Sequence, residues 1–386
     1  MKSPIPTYLL LAIHASTTLS LSPQHPILEN PSSSPSPSTT SLLELHKNLI
    51  EHQSITGNED SVTQYLTSYL RSQNFTVELQ DVGPQASSGP PRENILAYVG
   101  TARKTRVLVS SHIDTVPPFW PYERVGDEIW GRGSVDAKGS VAAQVVAVEE
   151  LLAANSIQEG DVALLFVVGE EVGGDGMRKA NDLGLTWETA IFGEPTELKL
   201  ASGHKGIMGL QVKAKGKAGH SGYPELGKSA NQMLVEALHA LLHVELPYNE
   251  KYGNTTLNVG RMEGGVAANV IAEDASATIA IRIADGEPGV IRKIVTEAVE
   301  SIDEDLEVIV TGSGYGPVYI DSDVPGFESM VVNYGTDIPN LKGDHKRYLY
   351  GPGTILMAHS DHEHLKVSDL EEAVEGYKKL IEHALK

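Results

Sequence analysis

The sequence predicts an α/β protein, with a mostly parallel sheet flanked by helices and a smaller α+β domain inserted into it. Two nearly continuous apolar runs, 105–115 and 161–171, are rich in β-branched residues and suit strands buried on both faces. An Ala- and Val-rich helix lies between them at 139–155, and strand, helix, strand is the pattern of a parallel βαβ unit. From Gly206 onward, apolar and polar residues alternate instead, which predicts strands with one buried face. The length of 386 residues also favours two domains.

The remaining elements follow from the same patterns. A first helix is predicted at 42–55 and a further strand at 93–100. After the inserted domain, the chain returns through helical and loop segments to a last helix at 367–386. The inserted domain has the order β-α-β-β-α-β of a ferredoxin-like fold, with its elements at 206–216, 228–246, 255–264, 275–284, 289–302 and 306–312.

The N-terminal segment has the features of a secretory signal peptide. It carries Lys2, an apolar centre at 8–15 and small residues after that centre, although a buried helix is the alternative interpretation. Two N-glycosylation acceptor triplets, at Asn74 and Asn254, agree with a secreted, extracellular protein. The chain thus divides into a signal peptide (1–20), a Pro/Ser-rich linker (21–41), a first domain (42–205 and 314–386) and an inserted domain (206–313).

The composition excludes several classes of protein and of site. The formal net charge is -21 and no Lys/Arg run occurs, which argues against binding nucleic acid through its phosphates. No apolar stretch after the N-terminal segment reaches the length of a membrane span. Because the chain has no cysteine, any metal ion has to be held by His, Asp and Glu.

Acidic and imidazole side chains follow the predicted strands of the first domain. Each one alone has an ordinary explanation: a solvated turn, or for Asp136 a cap on the following helix. Sites in open parallel sheets, however, form beyond the carboxyl ends of the strands, where these side chains would meet. Such a set could hold two divalent ions around a bridging carboxylate. The candidates are His112, Asp114, Asp136, Glu170, Glu171 and Glu194.

One further histidine is needed, and the segment 356–367, "LMAHSDHEHLKV", offers several. The residues alone leave open whether this segment is a compact metal clamp, a solvated loop or the source of a single ligand. Its candidate ligands are His359, Asp361, His362, Glu363 and His364.

The motifs "HIDTV", "GRGSVDAKG", "GEE" and "GEPTE" resemble, in order and spacing, those of the dinuclear-zinc amidohydrolase family. That family includes acetylornithine deacetylase, succinyl-diaminopimelate desuccinylase, aminoacylase-1 and bacterial glutamate carboxypeptidase. The resemblance covers nearly the whole chain after the linker, and within the family it is greatest to secreted probable carboxypeptidases. It implies that the first domain is a catalytic, metal-binding domain and that the inserted domain is a lid, which often mediates dimerisation.

The resemblance also implies a role for each candidate. His112 and Glu194 would hold one zinc ion, Glu171 and His359 the other, with Asp136 bridging the two. Asp114 would orient His112, and Glu170 would be the general base and acid. Glu363 stands where relatives carry an acid that supports the loop, whereas His362 and His364 have no assigned role.

Three lid residues match positions that contact substrate in the family. His220 would help to stabilise the oxyanion, while Asn269 and Arg282 would contact the substrate carboxylate. From the residues alone, His220 could equally lie in a glycine-flanked surface loop, and Arg282 could simply face outward from its strand.

The expected function is hydrolysis of an amide bond next to a free carboxylate, most simply by a secreted zinc carboxypeptidase acting on small peptides. An N-acyl-amino-acid deacylase and an aminopeptidase are the rival activities, and a catalytically inactive metal-binding scaffold is the rival of another class. Cobalt or manganese could replace zinc, because an oxygen and nitrogen ligand set accepts several metals. The resemblance leaves the oligomeric state open, because some members of the family form homodimers through the lid and others do not.

Overall fold

A computed structural model describes residues 37–84 and 89–386. The predicted signal peptide at 1–20 and the linker up to residue 36 lie outside these residues. The linker was expected to reach residue 41, but the first helix already begins at Pro37. Proline is tolerated in the first turn of a helix, since its missing N–H has no intrahelical partner there. In the described residues no helix is long and apolar enough to cross a membrane.

Helices and strands alternate along most of the described chain. In chain order, the helices are α1 (Pro37–Glu51), α2 (Asp60–Ser72), α3 (Lys138–Ala153), α4 (Asp175–Ala180), α5 (Ala230–His243), α6 (Pro288–Glu300) and α7 (Val367–Ala384). The strands are β1 (Phe75–Asp81), β2 (Glu93–Val99), β3 (Val107–His112), β4 (Glu123–Val125), β5 (Glu128–Trp130), β6 (Val162–Val167), β7 (Thr189–Gly193), β8 (Leu200–His204), β9 (Gly206–Lys215), β10 (Gly219–His220), β11 (Tyr248–Asn249), β12 (Gly253–Asn254), β13 (Thr256–Gly264), β14 (Val270–Ile271), β15 (Asp274–Ile283), β16 (Leu306–Tyr315), β17 (Val318–Tyr319), β18 (Ser329–Val332), β19 (Lys346–Tyr350) and β20 (His364–Lys366).

The main sheet has six strands in the order β1-β2-β6-β3-β7-β19. The strands β6, β3, β7 and β19 are parallel, whereas β1 and β2 form an antiparallel edge. The predicted mixed α/β fold with a mostly parallel sheet is therefore confirmed. Because β3 lies between β6 and β7, the carboxyl ends of these three strands are neighbours.

Both faces of the main sheet are covered, which explains why its central strands are apolar throughout. The helices α1, α3 and α7 pack together on one face, where residues such as Leu49, Val145 and Tyr377 share a core with Val109 of β3. The neighbouring residue on β3, Leu108, points to the other face. There it packs with side chains from α4 and from the segment around Ile338.

The inserted unit has the predicted order of elements and its own core. Its antiparallel sheet runs β13-β15-β9-β16, and α5 and α6 pack on one face. Burial alternates along β15, so Ile279 and Ile281 face the helices whereas Ala280 and Arg282 lie on the open face. Strand β16 continues to Tyr315, two residues beyond the predicted boundary at 313.

Several elements were missed by the sequence prediction. The helix α2 and the strand β1 were not predicted, and the segment that forms β19 was expected to be helix or loop. Two three-stranded sheets also exist in the described residues, β17-β8-β18 and β20-β5-β4. The second one pairs His364–Lys366 with Glu128–Trp130 and so holds the C-terminal histidine-rich segment beside the glycine-rich loop.

Candidate metal centre

The three parallel strand ends bring four of the predicted residues together. His112 is the last residue of β3, Glu170 and Glu171 form a short 3-10 turn soon after β6, and Glu194 directly follows β7. Asp136 comes from the glycine-rich loop just before α3. The juxtaposition follows from topology, because neighbouring parallel strands end at the same edge of a sheet.

Asp136 lies between two imidazoles. Its Oδ1 is 3.0 Å from Nε2 of His112, and its Oδ2 is 3.3 Å from Nε2 of His359. The two oxygens of one carboxylate thus face different histidines, which are 247 residues apart in the chain. This is the arrangement that a carboxylate bridging two cations requires.

Each imidazole has a second carboxylate beside it. Nε2 of His112 is 3.7 Å from Oε1 of Glu194, and Nε2 of His359 is 2.9 Å from Oε2 of Glu171. Ligand atoms of His112, Asp136 and Glu171 lie within 4.8 Å of one another, as do those of His112, Glu170 and Glu194. These two groups share His112, and His359 belongs to neither of them.

His359 differs from the other members in its exposure and backbone. Its side chain is 51% exposed, compared with 1% for His112, and its φ of 61° lies in the left-handed region. The neighbouring histidines point elsewhere. Nδ1 of His362 contacts exposed Asp361 at 2.8 Å, and His364 stacks on Trp130 at 4.4 Å between ring centroids.

Glu363 connects the C-terminal segment to the glycine-rich loop. Its Oε1 accepts hydrogen bonds from the main-chain N–H groups of Val135 (3.1 Å) and Asp136 (3.2 Å). Its Oε2 accepts one from Arg132 at 2.6 Å, and both side chains of this ion pair are buried. Arg132 also donates to the main-chain oxygens of Pro118 and Ser360. Glu363 was expected to support its loop, but the role of Arg132 was missed.

Asp114 was expected to orient His112 through its carboxylate. The closest contact is instead between Nδ1 of His112 and the main-chain oxygen of Asp114, at 3.0 Å, whereas the carboxylate lies 3.5 Å away. The buried carboxylate accepts hydrogen bonds from the N–H groups of Glu170 (3.1 Å) and Glu171 (3.3 Å), and from the hydroxyl of Thr56 (2.7 Å). Asp114 therefore also fixes the turn that carries the two glutamates.

An ion-pair network beside the same turn is buried at Arg92 and Glu59 and partly exposed at Asp175. Arg92 donates to Glu59, with the closest pair of atoms at 3.0 Å, and to Asp175 at 2.6 Å. The side chains of Arg92 and Glu59 are 1% and 0% exposed. A Cβ at Gly169, which precedes Glu170, would clash with the Arg92 guanidinium. Neither Arg92 nor its partners were identified from the sequence.

Burial and the close spacing of the carboxylates shift the pKa values of the residues in the cluster. Burial, together with repulsion from neighbouring carboxylates, raises the pKa of Glu170 and of Glu194 well above the usual range of glutamate, although His112 opposes the shift. Burial opposes protonation of His112, but Asp114 and Asp136 outweigh it and raise the pKa of its imidazole. Hydrogen bonds to Asp136 and Glu171 raise the pKa of His359 to about 10.

The donor set fits divalent cations. It consists of imidazole nitrogens and carboxylate oxygens, the ligands that zinc, cobalt and manganese accept. Oε1 of Glu171 is buried and has no hydrogen-bond partner among the described residues, which leaves a lone pair free for a cation. Positive ions would also offset the repulsion between Glu170, Glu171 and Glu194.

The cluster opens into a cavity of about 760 Å³ between the main sheet and the inserted unit. Asp136, Glu170 and His359 line it on the side of the main sheet, whereas Arg282 and Tyr315 line it from the inserted unit. The open face of the inserted sheet therefore contributes to the cavity lining, so Arg282 both faces outward on its strand and lines the cavity.

The other two predicted substrate contacts lie elsewhere. His220 and Asn269 are close neighbours, because the N–H of Ser221 donates to the main-chain oxygen of Asn269 at 3.1 Å. Both residues are exposed, and neither is among the described residues that line the cavity. The two glycosylation candidates, Asn74 and Asn254, are exposed as well.

Comparisons with known proteins agree with this architecture. Residues 202–307 match the family model described as the peptidase dimerisation domain, and residues 94–183 match the model of peptidase family M28. An M20 domain-containing peptidase of Sordaria macrospora is 49% identical over 383 residues, covering 89% of this chain and 85% of the relative. A probable carboxypeptidase of Aspergillus oryzae is 43% identical over 430 residues, covering 100% and 99%.

Solved structures share the fold at lower identity. A tripeptidase from Staphylococcus aureus superposes with a TM-score of 0.76 at 20% identity, covering 90% of this chain and 98% of that one. An M20 family metallo-carboxypeptidase from Sulfolobus solfataricus superposes with a TM-score of 0.69 at 19% identity, covering 89% and 99%.

The fold, the nitrogen and oxygen ligand cluster and these relatives together define a metallopeptidase. The chain belongs to the M20 peptidase family.

Proposed function

We propose that the protein is a zinc carboxypeptidase that releases C-terminal amino acids from small peptides. The observation that carries this proposal is the placement of Asp136, whose two oxygens face the imidazoles of His112 and His359. Relatives that span the whole chain are named probable carboxypeptidases, which supports the choice among the peptidase activities.

In the proposed centre, Asp136 would offer one carboxylate oxygen to each of two divalent ions. His112 and Glu194 would complete one ion's ligands, and Glu171 and His359 the other's. Such ions would acidify a water molecule and polarise the scissile carbonyl group. Glu363 accepts a hydrogen bond from the main-chain N–H of Asp136 and would thereby keep the Asp136 carboxylate in place.

Glu170 is the proposed general base. It lines the cavity beside Glu171, and its main-chain N–H donates a hydrogen bond to the carboxylate of Asp114. Its carboxylate would take a proton from the attacking water, hold it while the amide bond breaks, and deliver it to the leaving nitrogen. This role needs a side chain that stays close to the centre without being a ligand.

Arg282 is the proposed contact for the substrate's C-terminal carboxylate, since its guanidinium reaches the cavity from the wall opposite the cluster. His220 and Asn269 are proposed to act on substrate too, but from their positions they could do so only if the lid moves or a second copy supplies them. A homodimer through the inserted unit would use the exposed edge strand β13 and the exposed Val235 and Leu242 of α5.

We also propose that the enzyme is secreted, with residues 1–20 as its signal peptide and with glycans at Asn74 and Asn254. The exposure of both asparagines supports the second part. N-terminal sequencing and glycosidase treatment of protein recovered from the culture medium test both parts. An N-terminus at Met1, or an unchanged mass after the treatment, would contradict them.

The activity is tested with peptides blocked at one end. The zinc-loaded enzyme is incubated with N-acetylated dipeptides, with dipeptide amides and with N-acetyl amino acids, and the products are identified by mass spectrometry. A carboxypeptidase cleaves the N-acetylated dipeptides and leaves the amides intact. Cleavage of the amides but not of the N-acetylated dipeptides would indicate an aminopeptidase, and release of acetate alone would indicate a deacylase.

A further inference from the structure

A second arginine, Arg178, lines the cavity that holds the metal cluster and Arg282. We propose that Arg178 is a specificity-determining residue, which selects substrates with an acidic side chain next to the scissile amide. The inference rests on the proposed function, because it assigns a substrate class to that site.

The position of Arg178 is set by the turn that carries the glutamates. It lies on α4, and its guanidinium donates through Nη1 to the main-chain oxygen of Gly173, two residues after Glu171. A guanidinium has five N–H donors, so most of them stay available for a ligand. The next residue, Lys179, is instead paired with Asp182 at 2.9 Å and does not line the cavity.

Arg282 lines the same cavity from strand β15 of the inserted sheet. A Cβ at Gly335 would lie 3.8 Å from Nη1 of Arg282 and 2.5 Å from the hydroxyl of Tyr315. The glycine therefore leaves room for the hydroxyl of Tyr315, whereas a Cβ there would only touch Arg282 at an ordinary contact distance. The two arginines come from different parts of the chain, Arg178 from α4 beside the glutamate turn and Arg282 from β15 of the inserted sheet.

The acid that Arg178 acts on in the protein is Asp337. Burial raises the pKa of this carboxyl and the charge of Arg178 opposes the shift, but within the described residues neither Arg178 nor Arg282 forms a close ion pair with a carboxylate. The acidic residues that line the cavity are those of the cluster: Asp136, Glu170, Glu171 and Glu194. Two divalent ions would offset these four charges, so the two arginines would give the remaining cavity a positive character.

A single peptide carboxylate can satisfy only one of two cations on separate walls. If Arg282 binds the terminal carboxylate, Arg178 is left to bind a second anionic group on the substrate. An aspartate or glutamate side chain supplies it, and its amide isostere does not. A hydrogen bond between charged groups, left unmade by the isostere, corresponds to about 10- to 100-fold in kcat/KM.

The test compares isosteric substrates in the zinc-loaded enzyme. The substrates are N-acetylated Ala-Glu against Ala-Gln, and Glu-Ala against Gln-Ala, so that each side of the scissile bond is sampled. We expect kcat/KM to favour the glutamate peptide by about 10- to 100-fold in one pair. In Arg178→Gln the ratio of kcat/KM between the glutamate and glutamine peptides should fall to about one, whatever the absolute rates, and Lys179→Gln should keep the wild-type ratio.

Two results would overturn the inference: equal kcat/KM for glutamate and glutamine peptides in both pairs, or an undiminished preference in Arg178→Gln. Failure of the proposed function looks different, because then no N-acetylated dipeptide is cleaved at all. In that case, calorimetric binding of the uncut peptides to the same three proteins decides the inference by the same comparison.

Discussion

Arg132 donates a 2.6 Å hydrogen bond to Glu363, and both side chains of this ion pair are almost wholly buried although 231 residues separate them. The other oxygen of Glu363 accepts the N–H groups of Val135 and Asp136. The pair thus ties the C-terminal histidine-rich segment to the loop that carries the bridging carboxylate. Removing one buried partner leaves the other charge uncompensated.

We therefore expect Glu363→Gln to lower the free energy of unfolding by about 3–5 kcal/mol. Because Asp136 would be held less firmly, metal affinity should also fall, by about 10- to 100-fold. Denaturant unfolding and zinc titration against a chelating dye measure the two effects. The exposed Glu371→Gln on α7 is the control and should change neither. Wild-type metal affinity in Glu363→Gln would contradict this role.

Arg92 should matter chiefly for stability. In Arg92→Met, buried Glu59 loses its partner, and we expect a loss of about 3–5 kcal/mol in the free energy of unfolding. The double variant Glu59→Gln with Arg92→Met should recover part of this loss, since no unpaired charge remains between those two positions. A double-mutant cycle by urea unfolding measures the coupling. Strictly additive effects would show that the pair does not act as a unit.

Buried His46 predicts loss of stability in acid. Burial lowers the pKa of its imidazole to about 4 in the folded protein, whereas an unfolded histidine titrates near 6.5. The unfolded chain therefore binds the proton first, and stability falls as pH drops from about 6.5 to about 4, by at most roughly 3 kcal/mol. Unfolding of His46→Gln across this range should show a shallower slope. The exposed His239→Gln should keep the wild-type slope, and equal slopes in all three proteins would contradict the assignment.

Metal removal should affect both activity and stability. Without cations, Glu170, Glu171 and Glu194 repel one another in a buried place. Chelation should therefore abolish turnover and lower the unfolding free energy by about 3 kcal/mol relative to protein in a hundredfold excess of free zinc over Kd. Added zinc, cobalt or manganese should restore turnover. Unchanged melting and turnover after exhaustive chelation would refute the dinuclear centre.

Some residues of the site could be predicted because they follow a regular sequence pattern, and others could not because they leave no such pattern. His112, Glu170, Glu171 and Glu194 follow apolar strands, and parallel strands end at one edge, so their meeting could be inferred from the pattern. The choice of His359 among its neighbours came from the resemblance to a family. Arg132 with Glu363 and Arg92 with Glu59 could not be inferred, because an ion pair between distant residues leaves no periodic signal in the sequence.

The elements of the fold were likewise predicted where the sequence pattern is regular and missed where it is not. The buried strands and the β-α-β-β-α-β insertion were predicted because their apolar periods are long and regular. Strand β19 was missed because it begins with Lys346 and Arg347 and has only five residues. The extra turn at the start of α1 was missed because its Pro/Ser composition is typical of linkers, although these residues are compatible with the first turn of a helix.

Glu170 is proposed to transfer protons beside an intact dinuclear centre, and the variant Glu170→Gln separates proton transfer from metal binding. Metal content by mass spectrometry and turnover of an N-acetylated dipeptide are measured on the same preparation, with the exposed Glu328→Gln as the control. We expect two zinc ions per chain in both variants and a fall in kcat of about 10²–10⁴-fold in Glu170→Gln alone. Full retention of turnover in Glu170→Gln with both metals bound would show that Glu170 is not the general base.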